Sequence, residues 1–444
     1  MRARVAALVR QVQQALPEGT AAVGAGLAVS AATSYVFVIV ALNALDGDAK
    51  ASFSAFWAVI FVAGPGFFLP LEQEVGRALA HRRAQGLGGG PLVTKAAQLG
   101  GVITALLVVL TFATAPLLSD LLYHGDMLFV FAVAVGIVAF YVIHLTRGVL
   151  AGEGRFRPYG ELLAGEGLLR LVAGIGLAAL GVDRAGAFAM VLAVAPFLAA
   201  AFALRGQRKL LRPGPDAPYT ELSANLGWLL LGSVLTQSLA YSPLLAVNVL
   251  SDSEVGGAEL AAGFASAFFV ARVPVLAFQA VQGTLLPKLA GLTGSGRHDE
   301  FRRGLNRLLA MVSAIAVLGA VGAFLVGPAV GKILFKDFTL DAKGLGLLAA
   351  GSGAFIIALT LAQALMALGG YRMMVASWAL GLATCVGLIL VIQDLEMRVE
   401  VSFLVGALVA AALMFVAARR QLNKVGDVGI GPLVHAIEHE PIEI

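Results

Sequence analysis

Charge is scarce in this chain. Only 13% of its 444 residues are Asp, Glu, Lys or Arg, about half the share usual in soluble globular domains. A water-facing surface of ordinary composition is therefore excluded. Cysteine occurs once, at Cys385 inside an apolar stretch, so no disulfide forms within the chain. A lone cysteine in such a stretch acts as a small hydrophobe and needs no chemical role. No G-x-x-x-x-G-K-[ST] loop is present, which excludes an ATP-driven pump in this chain. GLGGG at 86–90 follows no strand and reads as a turn. Long polar connections are missing as well, and with them the loops that carry the catalytic groups of membrane glycosyltransferases. The chain is not read as an enzyme.

What is present is apolar. Hydrophobic residues make up 59% of the chain, with a mean hydropathy of +0.89. They fall in blocks of about twenty, enough to cross a hydrocarbon core of about 30 Å. Twelve such spans are predicted, at 20–44, 52–80, 93–120, 127–151, 159–181, 185–204, 222–249, 259–290, 304–334, 344–369, 372–392 and 400–418. The expected class is all-α integral membrane. The 53 glycines suit close helix packing in lipid. Ahead of the first span, Val5, Leu8, Val9, Val12 and Leu16 form one helical stripe, with Arg2, Arg4 and Arg10 off it. Residues 1–19 thus read as a basic amphipathic helix on the cytoplasmic leaflet.

Positive charge sets the orientation. With the N-terminus inside, the inner connections carry nineteen Lys and Arg and the outer ones six. The positive-inside rule puts both termini in the cytoplasm, with 419–444 as a cytoplasmic tail. His435 and His439 in that tail are not read as a metal site. The longest inner link, 205–221, divides the chain into lobes at 20–204 and 222–418.

The lobes repeat each other in one direction. ALNAL at 41–45 matches AVNVL at 246–250, and VAGPGFFLPLEQEVG at 62–76 lies against VARVPVLAFQAVQG at 270–283. APLLSDLLYH at 115–124 parallels GPAVGKILFK at 327–336, and GRFR at 154–157 parallels GYR at 370–372. Six spans separate the halves, so the repeats share orientation. Such parallel repeats point to a transporter, with its substrate site between the halves near the midplane.

Polar residues within the spans mark that expected cavity. Arg272 sits mid-span, two residues before Pro274, which removes a helix hydrogen bond. A charge at that depth costs roughly 2.5–3.5 kcal/mol and needs a partner, water or an anionic ligand. Arg272 and Gln279 share one face; Ser233, Gln237, Tyr241 and Asn248 form a stripe on the preceding span. The fifth span holds Glu161, Glu166 and Arg170, with Glu166 and Arg170 one turn apart as a candidate ion pair. His144 and Arg147 lie on the fourth span, and Glu72, Gln73, Glu74 and Arg77 end the second.

LTRGVLAGEGRFRPYG at 145–160, ARVPVLAFQAVQGTLLPKLAGL at 271–292 and the proline-containing endings of spans three and nine carry a resemblance. Over about residues 20–420 the chain resembles the multidrug/oligosaccharidyl-lipid/polysaccharide (MOP) exporter superfamily, nearest its bacterial polysaccharide flippases. The resemblance implies a V-shaped pair of six-helix bundles working by alternating access in the bacterial plasma membrane. It implies export of an undecaprenyl-pyrophosphate-linked oligosaccharide for cell-surface polysaccharide, with polysaccharide assembly proteins as partners. On that basis Arg272, Arg170, Arg147, Arg77, Gln279, Gln237, Tyr241 and Asn248 are the expected substrate-binding residues. Guanidinium matches phosphate oxygens bidentately. Glu166 and Glu74 are the expected ion-coupling residues, for Na+ or H+, and neither a metal site nor a cofactor is expected. The alternatives are a cation-coupled multidrug antiporter, and then a lipid II flippase or a non-transporting membrane scaffold. Lipid II flippases of the superfamily carry two further helices that are not found in this sequence.

Overall fold

The computed structural model describes residues 20–207, 210–222, 225–251, 257–275, 278, 297–336 and 338–428. The amphipathic segment 1–19 and Gln279 lie outside these, as does the tail beyond 428. Backbone groups in lipid must be satisfied within their own segment, so apolar blocks of this length become helices. The first half forms α1 (Thr20–Ala44), α2 (Gly47–Ala84), α3 (Gly90–Ala113), α4 (Ala115–Leu122), α5 (Met127–Gly152), α6 (Phe156–Ala179) and α7 (Ala185–Leu204). The second half forms α8 (Leu226–Ser251), α9 (Gly257–Ala271), α10 (His298–Leu334), α11 (Ala342–Ala367), α12 (Tyr371–Val391) and α13 (Leu395–Val428). Among the described residues twelve helices are long and apolar enough to cross a membrane.

Two expected spans differ in detail. The third is broken: α3 ends at Ala113 and α4 restarts at Ala115, with Thr114 at φ −101° and ψ 13°. Pro116 has no N–H to give and its ring crowds the preceding turn. Pro328, its counterpart in the repeat, leaves α10 unbroken. The eighth span, predicted over 259–290, is described only as far as Val275 and at Phe278, and its hydrogen bonding changes at Pro274. Helix α9 ends at Ala271, and the chain tightens through Arg272 N→Phe269 O (3.3 Å) and Val275 N→Arg272 O (3.0 Å). Both are i→i+3 bonds.

Caps and glycines fix the rest. Asp126 Oδ1 accepts from Leu128 N (2.9 Å) to start α5, and Asp341 Oδ1 accepts from Gly344 N (2.7 Å) to start α11. Helices α1 and α6 meet backbone to backbone, since a Cβ at Gly26 would stand 2.7 Å from Gly160 Cα. The repeated asparagines behave alike: Asn43 Nδ2 donates to Ile39 O (3.0 Å), and Asn248 Nδ2 donates to Leu244 O (2.7 Å).

The chain divides into two compact units. One contains α1–α7, the 210–222 link, residues 244–266, residues 332–339 and α8 up to Gln237. The other contains 238–243, 267–331 and everything from Leu340 onward.

Candidate functional site

In the first unit, four helices bring a buried polar network together. Tyr159, at the start of α6, donates to Glu72 Oε1 on α2 (2.9 Å). The other oxygen, Oε2, faces His144 Nδ1 on α5 at 2.6 Å. The carboxylate can only accept there, so Nδ1 carries the proton. Arg147, one turn along α5, stands between two carboxylates: 4.0 Å from Glu72 Oε2 and 3.0 Å from Glu166 Oε2 on α6. Glu166 also pairs with Arg170 through Oε1, and Arg170 reaches Ser34 Oγ on α1 (3.4 Å). Two carboxylates thus face two guanidiniums, with His144 as the group that can take an extra proton. Among the described residues His144 Nε2, Arg147 Nε and Arg170 Nε are buried without a hydrogen-bond partner.

The sequence reading brings Arg147, Arg170 and Glu166 to one place but puts Glu74 in the coupling role. Glu74 lies apart, accepting from Arg77 Nε and Nη2 (3.0 and 2.9 Å). Arg77, with its side chain half exposed, also donates to the carbonyl of Glu221 in the link (2.9 Å). Glu72, which the sequence reading places on the polar end of the second span without a coupling role, is the α2 carboxylate in the network. A signal for it exists: Phe68, Val75 and Leu79 are fully buried and share its stripe on α2.

Gln237 and Asn248 hold α8 on α2. Pro65 leaves the Phe61 carbonyl without its helical donor, and Gln237 Nε2 supplies one (3.1 Å). Ser233 Oγ donates to Pro65 O (3.3 Å), and Asn248 Nδ2 to Ser54 Oγ (3.0 Å).

Arg272 belongs to the second unit, where it is 8% exposed. Its guanidinium carbon lies 4.9, 5.0 and 5.7 Å from the ring centroids of Tyr241, Phe268 and Phe355. Nη1 donates to Ala240 O at 2.6 Å. A proline lies close to that carbonyl in α8. Pro243 frees the Leu239 carbonyl, which Ser242 Oγ takes up at 2.9 Å, and the next carbonyl turns to Arg272. Among the described residues no carboxylate pairs with Arg272. Aromatic faces stabilise a cation by about 0.5–2 kcal/mol each without neutralising its charge.

No family model matches the chain. An uncharacterized protein of Mycobacterium tuberculosis is 27% identical over 412 residues, covering 90% of this chain and 91% of the relative. Another, from Mycobacterium bovis, is 24% identical over 429 residues, covering 91% and 93%. Among solved structures, an inward-facing multidrug resistance MATE-family transporter of the MOP superfamily superposes with a TM-score of 0.70 at 16% identity, over 89% of this chain and 95% of that one. An outward-facing one gives 0.68 at 13% identity, over 92% and 96%. A MOP superfamily transporter from Pyrococcus furiosus, for which reverse polarity of the binding pocket is described as suggesting a different function, gives 0.67 at 14%, over 92% and 96%. The chain is a multi-pass membrane protein with the all-helical fold of the MOP-superfamily transporters.

Proposed function

We propose that this protein is a flippase that carries an undecaprenyl-pyrophosphate-linked oligosaccharide from the inner to the outer leaflet of the bacterial plasma membrane. Both termini are cytoplasmic in this reading, and lobes 20–204 and 222–418 alternate access. One observation carries it: Arg272 is a buried cation held by three rings and a carbonyl, with no acid paired to it among the described residues. An arginine kept for structure needs a counter-charge. An arginine kept for a phosphate needs the opposite, a site that holds it in place without neutralising it.

The N-terminal network supplies coupling. A proton is taken at Glu72–His144, beside Glu166, and Arg147 moves between the two carboxylates in response. Arg147 and Arg170 remain substrate candidates only in the state that releases them from Glu166.

The structural neighbours described as multidrug transporters favour a second reading, a cation-coupled drug antiporter. An acid available to a cationic drug is its requirement. Here Glu166 is engaged by two arginines and Glu72 by His144 and Tyr159. The described reversal of pocket polarity in the Pyrococcus furiosus protein is compatible with anionic cargo on this fold.

Lipids co-purifying with the protein, identified by mass spectrometry, test the choice. Polyprenyl-pyrophosphate glycans retained by the wild type and lost from Arg272→Ala are expected. Equal retention by both, or binding of organic cations alone, contradicts the flippase reading.

A further inference from the structure

A second buried acid lies outside the network above. Glu400, in the second turn of α13, is 2% exposed, and among the described residues its Oε1 has no hydrogen-bond partner. Its carboxyl is packed onto the start of α11: a Cβ at Gly344 would collide with Oε1 and stand 3.1 Å from Cδ. Another carboxyl reaches the same residue, because Asp341 Oδ1 accepts from Gly344 N at 2.7 Å. Two acids from separate elements converge on one glycine.

The surroundings add little positive charge. Glu396 lies one turn earlier on α13, and Asp394 caps that helix through Met397 N (2.9 Å). Arg398 is turned to the carbonyls of Ile392 and Gln393 (2.5 and 3.4 Å). Lys343 is the nearby cation on α11, and it lines an apolar surface groove with Val321 and Phe324 of α10. An ionised carboxylate buried without a hydrogen bond and beside a second acid is strongly disfavoured, whereas its neutral form is tolerated.

We infer that Glu400 is a proton-binding site of the second unit, holding a proton while α13 is closed on Gly344 and Asp341. A metal ion does not suit it. Among the described residues no group of three ligating side chains exists, and the carboxyl itself occupies the space over Gly344. That the proton exchanges with the outer side rests on the topology proposed above; its presence does not.

Infrared difference spectra of the purified protein, between about pH 5 and 9, test this. Near neutral pH the wild type should show a protonated-carboxyl C=O band that Glu400→Gln lacks. Asp341→Asn keeps the cap oxygen but removes the adjoining charge, so it should move the loss of that band to lower pH. This variant reads the site even if Glu400→Gln does not fold. The inference is overturned if no such band exists, if Asp341→Asn leaves its titration unmoved, or if added Na+ or Ca2+ abolishes it at constant pH.

Discussion

Arg272 and the arginines of the N-terminal network differ in what holds them. Arg147 and Arg170 are held by carboxylates, so cutting their shared partner leaves buried charge uncompensated. Glu166→Gln should therefore lower stability by about 3–5 kcal/mol, read as a loss of the thermal unfolding midpoint. Exchanging Glu166 and Arg170 tests the pair further. The exchange preserves their own attraction but sets the new arginine against Arg147, so it should rescue folding only in part. Full rescue would mean that Arg147 does not share Glu166. Arg272 predicts the reverse pattern. Arg272→Ala removes an insertion cost and breaks no ion pair among the described residues, so it should insert and fold, with the unfolding midpoint lowered only by the lost ring contacts and the Ala240 hydrogen bond and by less than in Glu166→Gln. Arg272→Lys keeps the charge but loses the planar fork, and most transport should go with it. At this scale the sequence made Arg272 and the Glu166–Arg170 pair readable, because depth and i,i+4 spacing are local. It did not separate Glu72 from Glu74. That choice depends on the rotation of α2 against α5 and α6, which only packing fixes.

Between helices, prolines and glycines decide where elements can touch. Gln237 gives the donor that Pro65 withholds from Phe61. Gln237→Leu should leave that carbonyl unsatisfied, a loss of about 1–3 kcal/mol measurable in thermal unfolding. Gly26→Ala should cost a similar amount through overpacking of α1 on α6. Arg82 makes the most side-chain hydrogen bonds to the link at 210–222. Arg82 Nε and Nη2 donate to Glu221 (2.7 and 2.9 Å), and its remaining donors reach the carbonyls of Gly88 and Pro215 (3.0 Å each) and Asp216 (2.9 Å). Hydrogen bonds from Arg82, with its charge adding to them, keep the Glu221 carboxyl below the usual carboxylate range. Its stabilisation is thus present above the unfolded value of about 4.3 and disappears as pH falls through the lower folded one. Limited proteolysis should find the link protected at neutral pH in the wild type and opened in acid. Glu221→Gln should be open already at neutral pH; equal protection would show that Arg82 holds the link through carbonyls alone. From sequence this link reads only as a basic topology signal. Its staple joins residues far apart in the chain, and no periodicity announces such a bond.

At the scale of the molecule, hydropathy and repetition carried most of the fold. Among the described residues the observed helices overlap the predicted spans, and Asn43 and Asn248, paired by the repeat, make the same back-bond one turn earlier. The break at Thr114 was not legible, because Pro116 and Pro328 look equivalent in sequence while only the first interrupts its helix. Orientation is a further expectation at this scale: reporters fused at residue 210 should report a cytoplasmic location, and an external signal would reverse it. The central claim concerns cargo. It is tested most directly by measuring translocation of an undecaprenyl-pyrophosphate-linked oligosaccharide in proteoliposomes containing the wild type or Arg272→Ala. The account predicts transfer by the wild type and a folded, stable Arg272→Ala protein that transfers almost none. Transfer at the wild-type rate by Arg272→Ala, or no transfer of this cargo by the wild type, would contradict it.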